Sequence, residues 1–276
     1  MSTATTTTEA AVIDGRAVER SEAGDRHAPI PFRTVAGVEL RKMFDTRSGF
    51  WLMVGIAATG LIATVAVVLF SSDAGLTYDS FAGAVGVPMT ILLPVLAILS
   101  VTGEWSQRAG LTTFTLVPHR GRVIRAKLAV TLAVGLASMA VALAIGAVGN
   151  VVGSNLAGVD TTWDLGPTAI AYIVGADLLG MLVGFMLGVV TRNSAAAIVG
   201  YFVYWFVFPT LSMLLAANNA WFEKAQPWLD FGFKQNSMYD GGFTTQDWAQ
   251  LALTGSVWLL LPLAFGVWKL LRSEVK

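Results

Sequence analysis

Residues 50–70 read FWLMVGIAATGLIATVAVVLF, an unbroken run without a charged side chain, and this stretch decides the fold class. At roughly 1.5 Å of rise per residue, a helix of that length crosses the ~30 Å hydrocarbon core of a bilayer. A helix serving only a soluble core stops after about ten to fourteen apolar residues. Five more long apolar runs follow, at residues 81–101, 128–148, 168–190, 195–216 and 248–271. The pattern predicts an all-α, polytopic membrane protein with six transmembrane helices.

Composition agrees. Hydrophobic residues make up 55 % of the 276, charged residues 13 %, and mean hydropathy is +0.65, outside the range of ordinary soluble domains. There is no cysteine, which excludes disulfides, thiol nucleophiles and cysteine-ligated metals. The two histidines, His27 and His119, lie far apart in the chain, so no metal site is expected, and nothing points to nucleic acid as a partner.

Acidic and basic residues balance at 18 each, but their placement does not. With the amino terminus in the cytoplasm, sixteen of the eighteen Lys and Arg fall on inner segments, and only Lys224 and Lys234 fall outside. The positive-inside rule therefore predicts a multi-pass protein of the cell membrane with both termini cytoplasmic. Residues 1–32 are rich in Thr, Ala, Glu and Arg and lack both a sustained apolar stretch and a small-residue cleavage site. They are expected to form a disordered cytoplasmic tail rather than a signal peptide. Residues 33–276 are expected to form the six-helix domain. At its start, Ala36, Leu40, Met43 and Phe44 recur at helical spacing opposite Arg41, Lys42 and Asp45. This pattern reads as an amphipathic helix lying along the inner leaflet, with a frayed extension of the first span as the alternative.

Several spans carry marks of their own. Pro88 and Pro94 in the second predict a bend or local unwinding. Gly180, Gly184 and Gly188 in the fourth form a stripe on which another helix can pack closely. The fifth holds Tyr201, Tyr204 and Trp205 among further aromatics before Pro209, for which lining of a substrate path competes with ordinary helix and lipid packing. Between the fifth and sixth spans, Trp221, Phe222, Trp228, Phe231 and Phe233 alternate with charges. That mixture predicts one or two short amphipathic helices on or dipping into the outer interface.

The most specific segment is residues 103–127, GEWSQRAGLTTFTLVPHRGRVIRAK, between the second and third spans. Glu104 stands where a span meets water, and it can pair with Arg108, cap a turn or dock a partner. Pro118 breaks the helical stretch. Arg120, Arg122, Arg125 and Lys127 then form a basic run, which inner topology by itself also demands.

On these elements the chain resembles the membrane subunit of ABC-2 type transporters, the exporter-like permeases of bacteria. They are the amphipathic helix, six spans, Gly103-Glu104 at the inner end of the second span, the loop with Leu111-Thr112, Pro118, Arg120 and Lys127, and the aromatic segment before the last span. The resemblance covers nearly the whole chain. It implies that the loop is a coupling helix seated in a groove of a separate ATPase subunit, with Glu104, Arg108, Arg120 and Lys127 as candidate contacts. It also implies a homodimer or heterodimer of permeases around a central path. The chain carries no Gly-rich phosphate loop followed by Lys and Ser or Thr. It is therefore not expected to be an enzyme itself, and ATP and Mg are expected on the partner ATPase.

Asp177 falls near the middle of the fourth span, where an ionised carboxylate costs on the order of 3 kcal/mol on insertion scales. A structural acid, a substrate or ion contact, and a proton relay are three competing readings. Two functions follow. The first is a permease subunit of an ATP-driven exporter for an amphipathic drug, antibiotic, peptide or lipid. The second is an ATP-independent channel or ion-coupled transporter centred on Asp177.

Overall fold

The computed structural model describes residues 31–45, 47–106 and 120–272, with side chains described throughout except at 46, 48, 104–106 and 120. The predicted tail thus lies outside the described residues up to position 30, as do Arg108, Pro118 and the rest of the loop 107–119.

Among the described residues the regular elements are helices, and six are long and apolar enough to cross a membrane. Helix α1 is Phe32–Asp45 and α2 is Arg47–Phe70. Then come α3 (Tyr78–Ser106), α4 (Arg120–Ala157) and α5 (Pro167–Thr191). The fifth span is α6 (Ser194–Asn218), followed by the short α7 (Ala220–Leu229) and α8 (Phe231–Asp240), and the last span is α9 (Thr245–Arg272). The two short helices occupy the segment where the aromatic and charged mixture predicted them.

Local chemistry sets the boundaries. Pro167, with no amide hydrogen to waste, opens α5. That helix closes at Arg192, which adopts a left-handed conformation (φ 54°) and donates its N–H to the Gly188 carbonyl. The next residue, Asn193, caps α6 by accepting from the Ala196 amide at 3.0 Å. Asn219 and Asp230 cap α7 and α8 in the same way, and Thr244 with Asp247 forms a reciprocal capping box at the start of α9.

Helix α4 runs for 38 residues, about 57 Å at 1.5 Å per residue, well beyond the ~30 Å hydrocarbon core. The expected run 128–148 is its apolar middle. The helix extends at one end through the basic turn at Arg120–Lys127 and at the other past Asn150 and Ser154. Spans α6 and α9 each contain a π-helical turn, at Val203–Val207 and Ser256–Leu260. Both stand two residues ahead of a proline, Pro209 and Pro262. A proline offers no donor to the preceding turn, and each wider turn is closed instead by a bond five residues on, Phe208 to Val203 and Leu261 to Ser256.

Helix α5 is the most buried span and α3 the next, and the two lie against each other along the glycine stripe. A Cβ at Gly184 would stand 2.6 Å from the Pro94 carbonyl oxygen, and one at Gly188 would stand 3.4 Å from that of Ile98. The apolar core around this contact includes Met89, Leu93, Met181 and Phe185. Spans α2 and α6 keep most of their surface outside the bundle.

At the end of the bundle opposite α1, the α2–α3 and α4–α5 connections are clasped together. Thr77 and Thr162 form a bridge, the Tyr78 amide donates to the Thr162 carbonyl at 3.1 Å, and Asn150 Nδ2 donates to the same carbonyl at 2.9 Å. The Asp79 amide donates to Asp164 Oδ1 at 2.8 Å.

Candidate functional site

Two polar centres draw together side chains from several helices. The first surrounds Asp177 on α5, whose side chain is 2 % exposed. Its Oδ1 accepts a hydrogen bond from the Tyr239 hydroxyl of α8 at 3.0 Å, while Oδ2 is buried without a partner. One turn along α8, Gln235 Nε2 donates to the Ala176 carbonyl at 2.9 Å, and Gln235 Oε1 accepts from the Tyr204 hydroxyl at 2.6 Å. Gln235 and Tyr239 are four residues apart and so share one helix face. That face turns α8 inward onto α5.

Tyr201 completes the wall from α6. It is fully buried, and its hydroxyl donates to the Thr90 carbonyl at 2.6 Å. In a regular helix that carbonyl would accept from residue 94, but Pro94 has no N–H to give. The phenol replaces the missing donor, so the proline of α3 and the tyrosine of α6 form one structural unit. Trp205 stacks with Tyr201 at 6.5 Å between centroids, and Tyr204 is tilted against Tyr201 at 6.1 Å. Gly180 leaves room for the network, because a Cβ there would come within 2.9 Å of Gln235 Nε2 and 3.3 Å of the Tyr201 hydroxyl.

The structure therefore brings Asp177, Tyr201, Tyr204 and Trp205 into one region, with the glycine stripe beside them. It adds Tyr239 and Gln235, which sequence reasoning did not select. The signal available for these two was their i, i+4 spacing within the aromatic outer segment.

Helix α8 is anchored on its other sides as well. Lys234, 5 % exposed, pairs with Asp247 at 2.5 Å and lies over the rings of Phe233 and Phe243. The Ser212 hydroxyl bonds to Asp230, Gln226 Nε2 donates to the Ser212 hydroxyl at 2.9 Å, and the Trp258 indole donates to the Leu229 carbonyl at 2.7 Å. The α7–α8 pair is thereby tied to α5, α6 and α9 together.

The second centre lies at the end of the bundle where α1 meets α3 and α4. Glu39 of α1 is 4 % exposed and forms an ion pair with Lys127 of α4, and it also pairs with Lys42 at 2.9 Å. Lys127 Nζ donates further to the Ser100 carbonyl of α3 at 3.2 Å, and Ser100 and Thr131 share a hydroxyl contact at 3.1 Å. Two residues on, Thr102 meets Ser194 of α6 at 2.7 Å. The packed face of α1 is thus centred on Val35 and Glu39, while Leu40 and Phe44 stay exposed. Glu39 was not singled out from the sequence, although its i, i+3 spacing to Lys42 marks a pair.

Of the four residues expected to contact an ATPase, Lys127 faces α1 and α3 from inside this junction. Glu104 lies in the last turn of α3 and Arg120 in the first turn of α4, with side chains outside the described residues. Set against known proteins, the chain matches no family model, and no curated protein matches it in sequence.

Proposed function

We propose that this chain is the permease subunit of an ATP-driven exporter of the ABC-2 type. It would act with a second permease and a separate ATPase, moving an amphipathic compound outward by alternating access. The distribution of Lys and Arg supports cytoplasmic termini, and ATP with Mg would belong to the partner. The sequence resemblance supports this reading, as do the polytopic six-span bundle and the two short helices ahead of the last span.

The observation that carries it is the Glu39–Lys127 junction. Lys127 stands just where the 103–127 segment enters the membrane. A displacement of that segment would pass through Lys127 into α1 by way of Glu39, and into α3 by way of the Ser100 carbonyl. Breaking one partner of a buried ion pair costs on the order of 3–5 kcal/mol, so these elements move as a unit rather than separately. Glu104, Arg108 and Arg120 would then meet the ATPase, and Lys127 would transmit its movement.

The test is affinity purification of the tagged chain in mild detergent, with mass spectrometry of its companions and an ATPase assay. A stoichiometric ATPase is expected. A Glu39→Gln variant should retain that companion yet lose about tenfold or more of coupled transport, as a lost interaction worth at least ~1.4 kcal/mol implies. Recovery of the chain alone, with no hydrolysis after candidate ATPases are added, would overturn the reading. The unpartnered Oδ2 of Asp177 favours a second one, an ATP-independent channel or ion-coupled transporter. Transport by the chain alone in ATP-free vesicles would select it.

A further inference from the structure

The outer halves of α2 and α4 pack closely, so that a Cβ at Gly149 would collide with the Thr64 methyl, and a groove of about 500 Å³ runs along their seam. Leu61, Val65 and Leu69 form one wall and Val148, Val152 and Leu156 the other, all of them exposed. The lining presents no polar surface. Its sole polar side chain, Thr64, donates its hydroxyl back to the Gly60 carbonyl at 2.9 Å and turns its methyl towards Gly149. Eight residues separate Leu61 from Leu69, so the groove is roughly 12 Å long at 1.5 Å per residue, the scale of an extended alkyl chain.

What lies above it is as one-sided in charge as the groove is in polarity. Asp73 follows Leu69 by four residues and Asp160 follows Leu156 by four. The outer clasp adds Asp79 and Asp164, held together by the bond between the Asp79 amide and the Asp164 carboxylate. All four side chains are exposed. No Lys or Arg occurs between residues 48 and 107 or between 128 and 191, so the rim formed by these two connections is purely anionic.

We infer that the α2–α4 groove is a binding site for a single-chain cationic amphiphile, its alkyl chain in the groove and its ammonium head at the aspartate rim. The argument is one of charge complementarity. Lipid tails are as apolar as the groove, so within a bilayer the chain alone gives little preference. Selection falls to the rim, whose field attracts a cation and repels an anion. A zwitterionic phospholipid fits less well, because its phosphate would lie between the groove and the ammonium, facing four carboxylates with no cation to answer it. The inference goes beyond the transport reading. Binding needs no ATPase, so its failure and the failure of the ATPase pull-down are separate results.

The test uses the full chain in phosphatidylcholine nanodiscs, photolabelled in parallel with a diazirine-bearing dodecylamine and with the matching dodecyl sulfate. Cross-links are mapped by mass spectrometry. The amine should label both walls about tenfold more than the sulfate, as a few kT of rim potential implies. Replacing Asp73 and Asp160 together by Asn, at exposed positions outside the core, should shrink that excess to about twofold or less. Val148→Trp, which fills the groove, should lower labelling by the amine. Equal labelling by amine and sulfate in the unaltered protein would overturn the inference and mark the groove as ordinary lipid contact. So would cross-links joining two chains through Val65 and Val148, which would make it an interface between copies.

Discussion

Gly180, Gly184 and Gly188 repeat at intervals of four along α5, but the absence of a side chain does different work at each. At Gly180 it admits the Gln235 amide and the Tyr201 hydroxyl, which are side-chain ends. At Gly184 it admits backbone, since a Cβ would stand 2.6 Å from the Pro94 oxygen and 3.0 Å from its Cα. A backbone cannot rotate away, so Gly184→Ala forces α3 and α5 apart. Overpacking of this kind costs typically ~1–3 kcal/mol, more than the ~1 kcal/mol that alanine gains over glycine in a helix interior. Gly175 supplies the contrast. Its added Cβ would meet only Met238 Cε, at 2.9 Å, the free end of a flexible chain. Thermal unfolding in detergent should therefore show Gly184→Ala clearly destabilised and Gly175→Ala neutral or slightly stabilised. Equal shifts for the two would show that the α3–α5 contact is not the close one described.

Among the elements, the clasp between the α2–α3 and α4–α5 connections includes one contact that depends on a carboxylate, the Asp79 amide on Asp164. Burial acts to raise the Asp164 pKa, but the Asp79 amide, the Thr77 hydroxyl and its own amide outweigh it and hold it below the usual carboxylate range. A depressed folded value means that the clasp gains stability above the unfolded pKa, ~3.9 for Asp. That gain is lost as pH falls through the folded value. Protection of the Asp79 amide against hydrogen exchange, corrected for intrinsic rate, should hold steady from neutral pH to about pH 5 and decline below about pH 4. In Asp164→Ala it should already be low at neutral pH and unchanged by acid. A wild-type profile flat through the acid range would remove Asp164 from the clasp.

The same scale shows what could be read in the chain. The six spans were legible because length and hydropathy are local properties, and the glycine stripe and the short outer helices followed from spacing and composition. The ends of α4 were not, because the charges at Arg120–Lys127 and the amides beyond 148 interrupt the apolar run without interrupting the helix. Asp177 was legible as a costly buried acid, but its partner was not. Tyr239 lies 62 residues away, and no local pattern says that the outer segment folds back onto α5. Glu39 escaped for a similar reason. Its ion pair with Lys127 spans 88 positions, while its neighbours advertise only an amphipathic surface.

For the whole molecule, the open quantity is which face is the cytoplasm. Six crossings put Phe32, the facing ends of α3 and α4, Asn193 and Arg272 on one side. The connections 71–77 and 158–166 and the α7–α8 pair fall on the other. Each Lys or Arg near an anionic inner leaflet contributes about 1 kcal/mol, and sixteen of eighteen cations favour the first face. Of the remaining two, Lys234 is buried against Asp247, which leaves only Lys224 exposed to oppose the bias. The chain has no cysteine of its own, so an introduced one reports its location without background. Ser72→Cys and Asn218→Cys, both at exposed positions, should react with a membrane-impermeant maleimide on intact cells. Thr34→Cys, also exposed, should react only after the membrane is opened. The opposite pattern would invert the protein, place the 103–127 segment outside the cell, and remove any cytoplasmic ATPase from contact with it.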